Sequence, residues 1–167
     1  MSRKTLSLLP EDIHVLQAAG VVELFPGNYP QAQEYFEKAQ TMKATRILSV
    51  LGISVETLLG YTYWKTDQHE QAMELFNHSS KTLQQTLAQG YEIWDVPYEL
   101  AAIHAIQGNK EEAYRWLHKA IDAGFRLYRS TLRDPLLENL REDEPFQQMM
   151  LQVKARVDEM RKRVEEE

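Results

Sequence analysis

The 167-residue sequence contains no cysteine. This absence excludes disulfide bonds, thiolate metal sites and cysteine nucleophiles. The sequence also lacks an excess of basic residues, because 19 Lys and Arg stand against 25 Asp and Glu, for a formal net charge of −6. Binding to phosphate backbones requires a basic surface. We therefore predict that nucleic acid is not a partner.

Long apolar runs are also missing. The N-terminal stretch "MSRKTLSLLP" has an apolar run of only four residues before Pro10, which is shorter than a signal peptide requires. No stretch approaches the roughly 20 apolar residues of a membrane span. The hydrophobic share of 43% and charged share of 26% are typical of a globular chain. We expect a cytoplasmic domain with no membrane partner.

The signatures of common enzyme sites are absent as well. The sequence has no glycine-rich phosphate loop and no nucleophile elbow. None of its histidines forms an H-E-x-x-H metal motif; they are His14, His69, His78, His104 and His118. The cluster "DQHE" at 67–70 lies in a predicted turn and has no further ligands nearby in the sequence. We predict that the chain is not an enzyme and binds no metal and no cofactor.

A pattern of small and large residues occurs three times along the chain. In each copy a small residue is followed four positions later by a large apolar residue and three positions after that by another small one; the copies are Ala32, Phe36, Ala39; Ala72, Phe76, Ser79; and Ala113, Leu117, Ala120. Twelve positions before each copy stands another small residue, namely Gly20, Gly60 and Ala101. Two antiparallel helices joined by a short turn need small side chains where they approach most closely. The pattern therefore predicts helical hairpins.

Turn sequences precede each copy: "FPGNYPQA", "KTDQHEQA" and "IQGNKEEA". With these turns, the pattern resembles the tetratricopeptide repeat (TPR) family. The copies follow one another at about 40 and 41 residues, whereas the repeat of that family is about 34 residues long. The resemblance implies an all-α, right-handed superhelix of three hairpins in residues 11–128, with units at about 13–46, 53–86 and 94–127. An irregular helical bundle is the alternative, and residues 1–10 are predicted to be a flexible lead.

The last segment, residues 129–167, is predicted to form capping helices. Its apolar residues follow steps of three and four, the spacing of a heptad seam; they are Phe146, Met150, Val153, Val157, Met160 and Val164. The end of this seam either packs along the array or pairs with a second chain as a coiled coil. The stretch "DPLLENLREDEPFQQM" also resembles the closing segment of TPR arrays attached to bacterial protein kinases and nucleotide cyclases. That resemblance implies a regulatory part of a longer protein.

The TPR resemblance implies a partner-binding set on the first helix of each hairpin. These residues are His14, Gln17, Val21, Thr57, Tyr61, Trp64, Asp95, Tyr98 and Glu99. Among them Tyr61, Trp64 and Tyr98 are of the type that dominates binding energy, although core packing is an equal alternative for Trp64 and Tyr98. The cations by which co-chaperone TPR domains grip a carboxylate are replaced by Gln17, Val21, Leu58, Asp95 and Glu99. We therefore expect a mixed apolar or basic polypeptide as the ligand.

Two functions follow from these features. The first is a non-catalytic scaffold that holds a partner polypeptide or peptide in the concave groove of a TPR-like array. The alternative is a self-association or regulatory module, in which the C-terminal helix makes a homodimer or links the chain to a larger signalling protein. The residues predicted to mediate self-association are Val153, Val157, Met160 and Val164.

Overall fold

A computed structural model describes residues 12–42 and 52–166 of the chain. Within these ranges the secondary-structure elements are all helices, which confirms the predicted all-α, TPR-like fold. In chain order they are α1 (Ile13–Leu24), α2 (Tyr29–Thr41), α3 (Val55–Lys65), α4 (His69–Ala88), α5 (Asp95–Ile106), α6 (Lys110–Asp122), α7 (Tyr128–Thr131), a 3-10 helix (Pro135–Leu140) and α8 (Glu144–Glu165). The predicted flexible lead and the end of the first predicted unit, residues 43–46, lie outside the described residues.

The chain divides into two compact units, Met1–Gln84 and Gln85–Glu167. The first unit contains the hairpin α1–α2 and the hairpin of α3 with the portion of α4 up to Gln84. The second contains the hairpin α5–α6, followed by α7, the 3-10 helix and α8.

The small residues of the repeat make room for phenylalanine rings in the first unit. A Cβ atom placed on Gly60 would lie 2.7 Å from Phe76 Cε1, and one placed on Gly20 would lie 2.4 Å from Phe36 Cε1. Real Cβ atoms do not approach other heavy atoms so closely, and both rings are fully buried. The same sixteen-residue separation therefore produces the same contact in both hairpins, and glycine is what allows it.

Polar contacts join the two hairpins of the first unit. Tyr63 Oη donates a hydrogen bond to Glu37 Oε1 at 2.9 Å, and Gln68 Nε2 donates to Gln33 Oε1 at 3.0 Å. Burial of the phenol, together with the nearby carboxylate of Glu37, raises the pKa of Tyr63 to about 12. The Tyr63 hydroxyl therefore keeps its proton and remains a donor at neutral pH.

Helix α5 forms the centre of the second unit. All its residues except His104 are buried, and it packs against α6 and the 3-10 helix. An aromatic cluster closes its N-terminal end, where Tyr98 stacks on Phe125 with ring centroids 4.9 Å apart and Trp94 packs edge-on against Phe125 at 5.3 Å. An apolar helix enclosed in this way is held mainly by burial of apolar surface.

A buried polar pair connects α5 to the segment that precedes the 3-10 helix. Tyr98 Oη donates to Asp134 Oδ2 at 2.6 Å, while Asp134 Oδ1 accepts from the Leu136 amide at 3.0 Å. Asp134 is fully buried and Tyr98 is 2% exposed. Burial raises the pKa of both groups, and the nearby carboxyl of Asp134 raises that of Tyr98 further. Each group thus provides the hydrogen-bonding partner that the other needs in the interior.

The first half of α8 covers the end of the second unit. Its residues Phe146, Met149, Met150 and Val153 are buried, and it contacts α6 and α7. Asp143, the residue before the helix, accepts hydrogen bonds from Lys110 Nζ at 2.7 Å and Tyr114 Oη at 2.6 Å. These two donors lower the pKa of the Asp143 carboxyl, with Lys110 the larger cause. The start of α8 is therefore fixed to α6 by charge as well as by packing.

Candidate functional site

The predicted partner-binding residues differ sharply in their exposure. Two of the nine are accessible: His14 is exposed and Trp64 is partly exposed. The other seven have relative exposures of 8% or less; they are Gln17, Val21, Thr57, Tyr61, Asp95, Tyr98 and Glu99. The accessible side chains of this set are therefore fewer than the family pattern implied.

Two of the three predicted aromatic anchors lie in the core. The Tyr61 ring is 1% exposed and packs edge-on against Tyr29, with ring centroids 5.9 Å apart. The Tyr98 ring is stacked on Phe125 and its hydroxyl is bound to Asp134. The assignment of these two rings to an accessible groove is corrected, because neighbouring side chains already cover both of them. Trp64 is the aromatic anchor that remains accessible.

The two acids that were expected to select a basic ligand are also buried. Asp95 is 4% exposed and is the first residue of α5, where its Oδ1 accepts from the Val96 amide at 2.9 Å. Glu99, one turn later, is fully buried. A carboxylate that solvent does not reach is not available to a rim-exposed basic side chain of a partner. The predicted role of Asp95 and Glu99 in ligand choice is therefore corrected.

Trp64 lies near the C-terminal end of α3, beside the turn that leads into α4. Its ring packs against the buried Phe76 at 6.2 Å and edge-on against His69 at 4.7 Å. The side chain of His69 is 55% exposed, and that of Asp67, 3.7 Å from His69, is 96% exposed. Trp64, His69 and Asp67 therefore form a surface patch in which a partly exposed indole ring lies beside polar groups; we call it the Trp64 surface.

His69 and Asp67 are not predicted to belong to this surface, because the stretch "DQHE" indicates only a turn. A signal for them was present. The turn between the two helices of a hairpin brings residues five apart into contact, and Trp64 and His69 have that separation. Asp67 adopts φ +60°, the left-handed conformation that Asp tolerates better than most residues.

A cavity of about 260 Å³ lies elsewhere in the first unit, and Gln17 is part of its lining. The cavity is also bordered by the start of α3 and by α4, including Ser54, Glu56 and His78. Glu56 Oε1 and His78 Nδ1 are 2.7 Å apart. The carboxylate and the imidazole at its border therefore already contact each other.

The residues predicted to mediate self-association also differ in their exposure to solvent. Val153 is fully buried and belongs to the cap, so its assignment to an intermolecular seam is corrected. Val157 is partly exposed, whereas Met160 and Val164 are 55% and 74% exposed. The seam that is available to a partner therefore begins at Val157.

In the part of the chain that the structure describes, no group of three or more His, Asp or Glu side chains is placed to hold a metal ion. Likewise, across residues 12–42 and 52–166, no helix combines the length and apolar character needed to cross a membrane.

His104 is a histidine whose titration we expect to affect stability. Among the described residues, its buried Nδ1 has no hydrogen-bond partner. Burial lowers the pKa of His104, although Glu112 partly opposes this effect and Arg115 adds to it. A lowered pKa in the folded state means that His104 favours folding above its unfolded pKa of about 6.5 and that this contribution is lost as the pH falls below that value.

We therefore expect the urea midpoint of the wild type to fall more between pH 7.5 and pH 5.5 than that of His104→Tyr. Tyrosine occupies the equivalent position, Tyr63, in the preceding hairpin and does not titrate in this range. The other histidines are common to both proteins, so their contribution cancels in the comparison. An equal fall in both proteins would contradict the role assigned to His104.

Residues 57–81 match a family model described as tetratricopeptide repeat, whereas no curated protein and no solved structure matches the chain. The matched residues run from the first turn of α3 into α4 and include Gly60 and Phe76, which make the close contact of the second hairpin. Repeats of this family generally mediate protein–protein interaction. The chain therefore contains a tetratricopeptide repeat, at residues 57–81, within an all-α TPR-like fold.

Proposed function

We propose that the chain is a non-catalytic module that binds a partner polypeptide through the Trp64 surface. The observation that carries this proposal is the exposure of Trp64, which is the accessible aromatic ring among the predicted binding residues. The repeat that contains it, residues 57–81, is of a class that generally mediates protein–protein interaction. These two facts together support a scaffold function in the sense of the family.

The chemistry of the surface defines the partner segment. A tryptophan at the centre of an interface commonly contributes about 2 kcal/mol or more to binding, and its indole ring accepts an apolar side chain or a cation over its face. Asp67, which lies 3.7 Å from His69, and Glu70 are exposed acids in the turn after Trp64 and at the start of α4. They favour basic residues beside the apolar anchor. The ligand that we propose is thus a mixed apolar and basic segment.

Peptides selected from a random display library on the wild-type protein provide the test. We expect Trp64→Ala to weaken their binding at least tenfold, because the variant removes the central ring of the surface. Val22→Ala is the matched control, since Val22 is an exposed apolar residue, 47% exposed, in the other hairpin of the first unit. Affinities are measured by isothermal titration calorimetry.

Trp64 also contacts Phe76, so circular dichroism must show that Trp64→Ala is folded. If Trp64→Ala is not folded, Trp64→Phe is used in its place, because it keeps an aromatic ring. We expect a smaller loss of peptide affinity for Trp64→Phe. Selected peptides that bind Trp64→Ala as tightly as the wild type would contradict the proposal.

Self-association is the alternative, and its structural basis is the exposure of Met160 and Val164. This basis is smaller than the sequence indicated, because Val153 is buried in the cap. The cations beside the exposed part of the seam, from Val157 to Val164, also disfavour pairing between two copies of the chain.

A further inference from the structure

The second half of α8 forms one side of an apolar groove in the second unit. Val157, Met160 and Val164 line this groove, together with Arg126, Arg161 and Glu165, and its volume is about 420 Å³. Met160 and Val164 are 55% and 74% exposed, which is high for apolar side chains that share one face of a helix. We call this feature the α8 groove.

Arg126 stands across the groove from α8. Its Nη1 donates to the main-chain carbonyls of Phe125 at 2.6 Å and Ile121 at 3.1 Å. These neutral acceptors fix the position of the guanidinium and do not cancel its charge. One border of the groove therefore presents a held positive charge beside an apolar floor.

The residues that flank the apolar stripe on α8 are also cations. With Val157 and Val164 at heptad position a and Met160 at position d, the flanking positions e and g hold Lys154, Arg156, Arg161 and Arg163. In helix pairs, these are the positions that form salt bridges with the partner helix. The acids Asp158 and Glu159 fall at positions b and c, farther from the stripe, whereas Glu165, at position b, also lines the groove. Lys154 pairs with Asp158 and Arg163 pairs with Glu159 along α8 itself, so the positive charge beside the groove comes from Arg126, Arg156 and Arg161.

This distribution of charge disfavours a second copy of the chain as the occupant. In a parallel pair, position g of one helix faces position e of the other, which places Arg156 against Arg161. In an antiparallel pair, e faces e and g faces g, so cations again meet cations. Like charges opposite one another suppress a pairing. The stripe is suited to a partner helix whose corresponding positions are acidic.

We propose that the α8 groove binds an amphipathic helix whose apolar stripe is flanked by Asp and Glu. This proposal concerns a surface other than the Trp64 surface and does not depend on it. The apolar residues of the partner helix cover Val157, Met160 and Val164, and its acids pair with Arg156, Arg161 and Arg126. An apolar stripe at helical spacing with cations beside it fits pairing with a second amphipathic helix.

The test uses two synthetic peptides of 21 residues with leucine at positions a and d. One has glutamate at positions e and g, and the other has lysine there. Binding to the full 167-residue chain is measured by isothermal titration calorimetry at 50 mM and 300 mM salt. We expect the glutamate peptide to bind, the lysine peptide not to bind, and the affinity of the glutamate peptide to fall at the higher salt concentration.

Two neighbouring residues provide a matched pair of variants. Arg161 lines the groove, whereas Lys162, at heptad position f, points away from the stripe; both are exposed. Arg161→Glu and Lys162→Glu change the net charge equally. We expect Arg161→Glu to weaken binding of the glutamate peptide at least tenfold and Lys162→Glu to weaken it less than twofold. Both substitutions lie on the exposed half of α8, so folding is preserved.

Several results would overturn this proposal. Equal losses of peptide affinity in Arg161→Glu and Lys162→Glu would show that only the net charge matters. Failure of the glutamate peptide to bind would contradict an acidic helix as the partner. Binding to vesicles of 70% neutral and 30% anionic phospholipid, with no binding of the peptide, would assign the groove to a membrane surface. A dimer of the wild type in light scattering that Val157→Glu converts to a 19.5 kDa monomer would assign it to a second copy.

Discussion

Phe76→Ala is expected to lower the free energy of unfolding of the first unit by about 3–5 kcal/mol, the range found when a fully buried phenylalanine is truncated. The Phe76 ring is fully buried, lies against the backbone of Gly60 and supports the ring of Trp64. Its removal leaves a space that the two helices of the second hairpin do not fill without moving. Urea unfolding followed by far-ultraviolet circular dichroism measures the change.

Asn77→Ala is the control for this experiment, because Asn77 is the next residue on α4 and is exposed. Its unfolding free energy should stay within about 0.5 kcal/mol of the wild type. A second comparison tests the contact itself. Gly60→Ala should be destabilising in the wild type, since its Cβ would meet Phe76 Cε1 at 2.7 Å, and much less so when Phe76 is already alanine. Equal effects of Gly60→Ala in the two backgrounds would contradict the close contact.

Tyr98→Phe is expected to destabilise the second unit by about 1–3 kcal/mol, the cost of leaving a buried polar group without a partner. The substitution keeps the stacked ring and removes only the hydroxyl that donates to Asp134 Oδ2 at 2.6 Å. Asp134 is fully buried, so water does not replace the lost donor. Urea unfolding of the full chain at pH 7 gives the magnitude.

Tyr91→Phe serves as the matched loss of a hydroxyl, since Tyr91 is partly exposed and its contact with Asp95 is long, at 3.4 Å. We expect that variant to lose less than about 0.5 kcal/mol. The double variant Tyr98→Phe, Asp134→Asn should recover part of the loss, because a neutral amide costs less to bury than a carboxylate. A Tyr98→Phe protein as stable as the wild type would show that the pair contributes nothing to the fold.

The helical hairpins were predictable because their cause is local in the sequence. The close approach of two helices needs a small residue opposite a large one, and the turn between the helices fixes how far apart in the sequence these two residues lie. Gly60 and Phe76 obey this rule, and so do Gly20 and Phe36. A small residue and a large one that recur at this fixed spacing therefore predict the contact between the two helices of a hairpin.

The burial of the predicted groove residues was not predictable from the repeat. The partner of Tyr98 is Asp134, 36 positions later, in a segment that does not follow the repeat pattern. Asp95 and Glu99 look like surface acids in the sequence, yet α5 is enclosed on nearly all sides and buries both. Family positions specify which face of a helix is used. They do not specify whether another part of the same chain already covers that face.

The seam of α8 shows the same limit. Its spacing is uniform from Phe146 to Val164, so the sequence does not mark where the cap ends. In the structure, burial changes between Val153 and Val157, beyond which the apolar residues become exposed. The charges at the flanking heptad positions were readable from the sequence, but their significance depends on knowing which part of the stripe is uncovered.

The most direct test of the proposed function uses the indole N–H signals of the three tryptophans in a ¹⁵N–¹H correlation spectrum of the full chain. They belong to Trp64, Trp94 and Trp116, and one substitution of each tryptophan by phenylalanine assigns them. On titration with a library-selected peptide, we predict that the Trp64 signal shifts or broadens while those of Trp94 and Trp116 stay in place. A Trp64 signal that remains unchanged at saturating peptide would contradict polypeptide binding at the Trp64 surface.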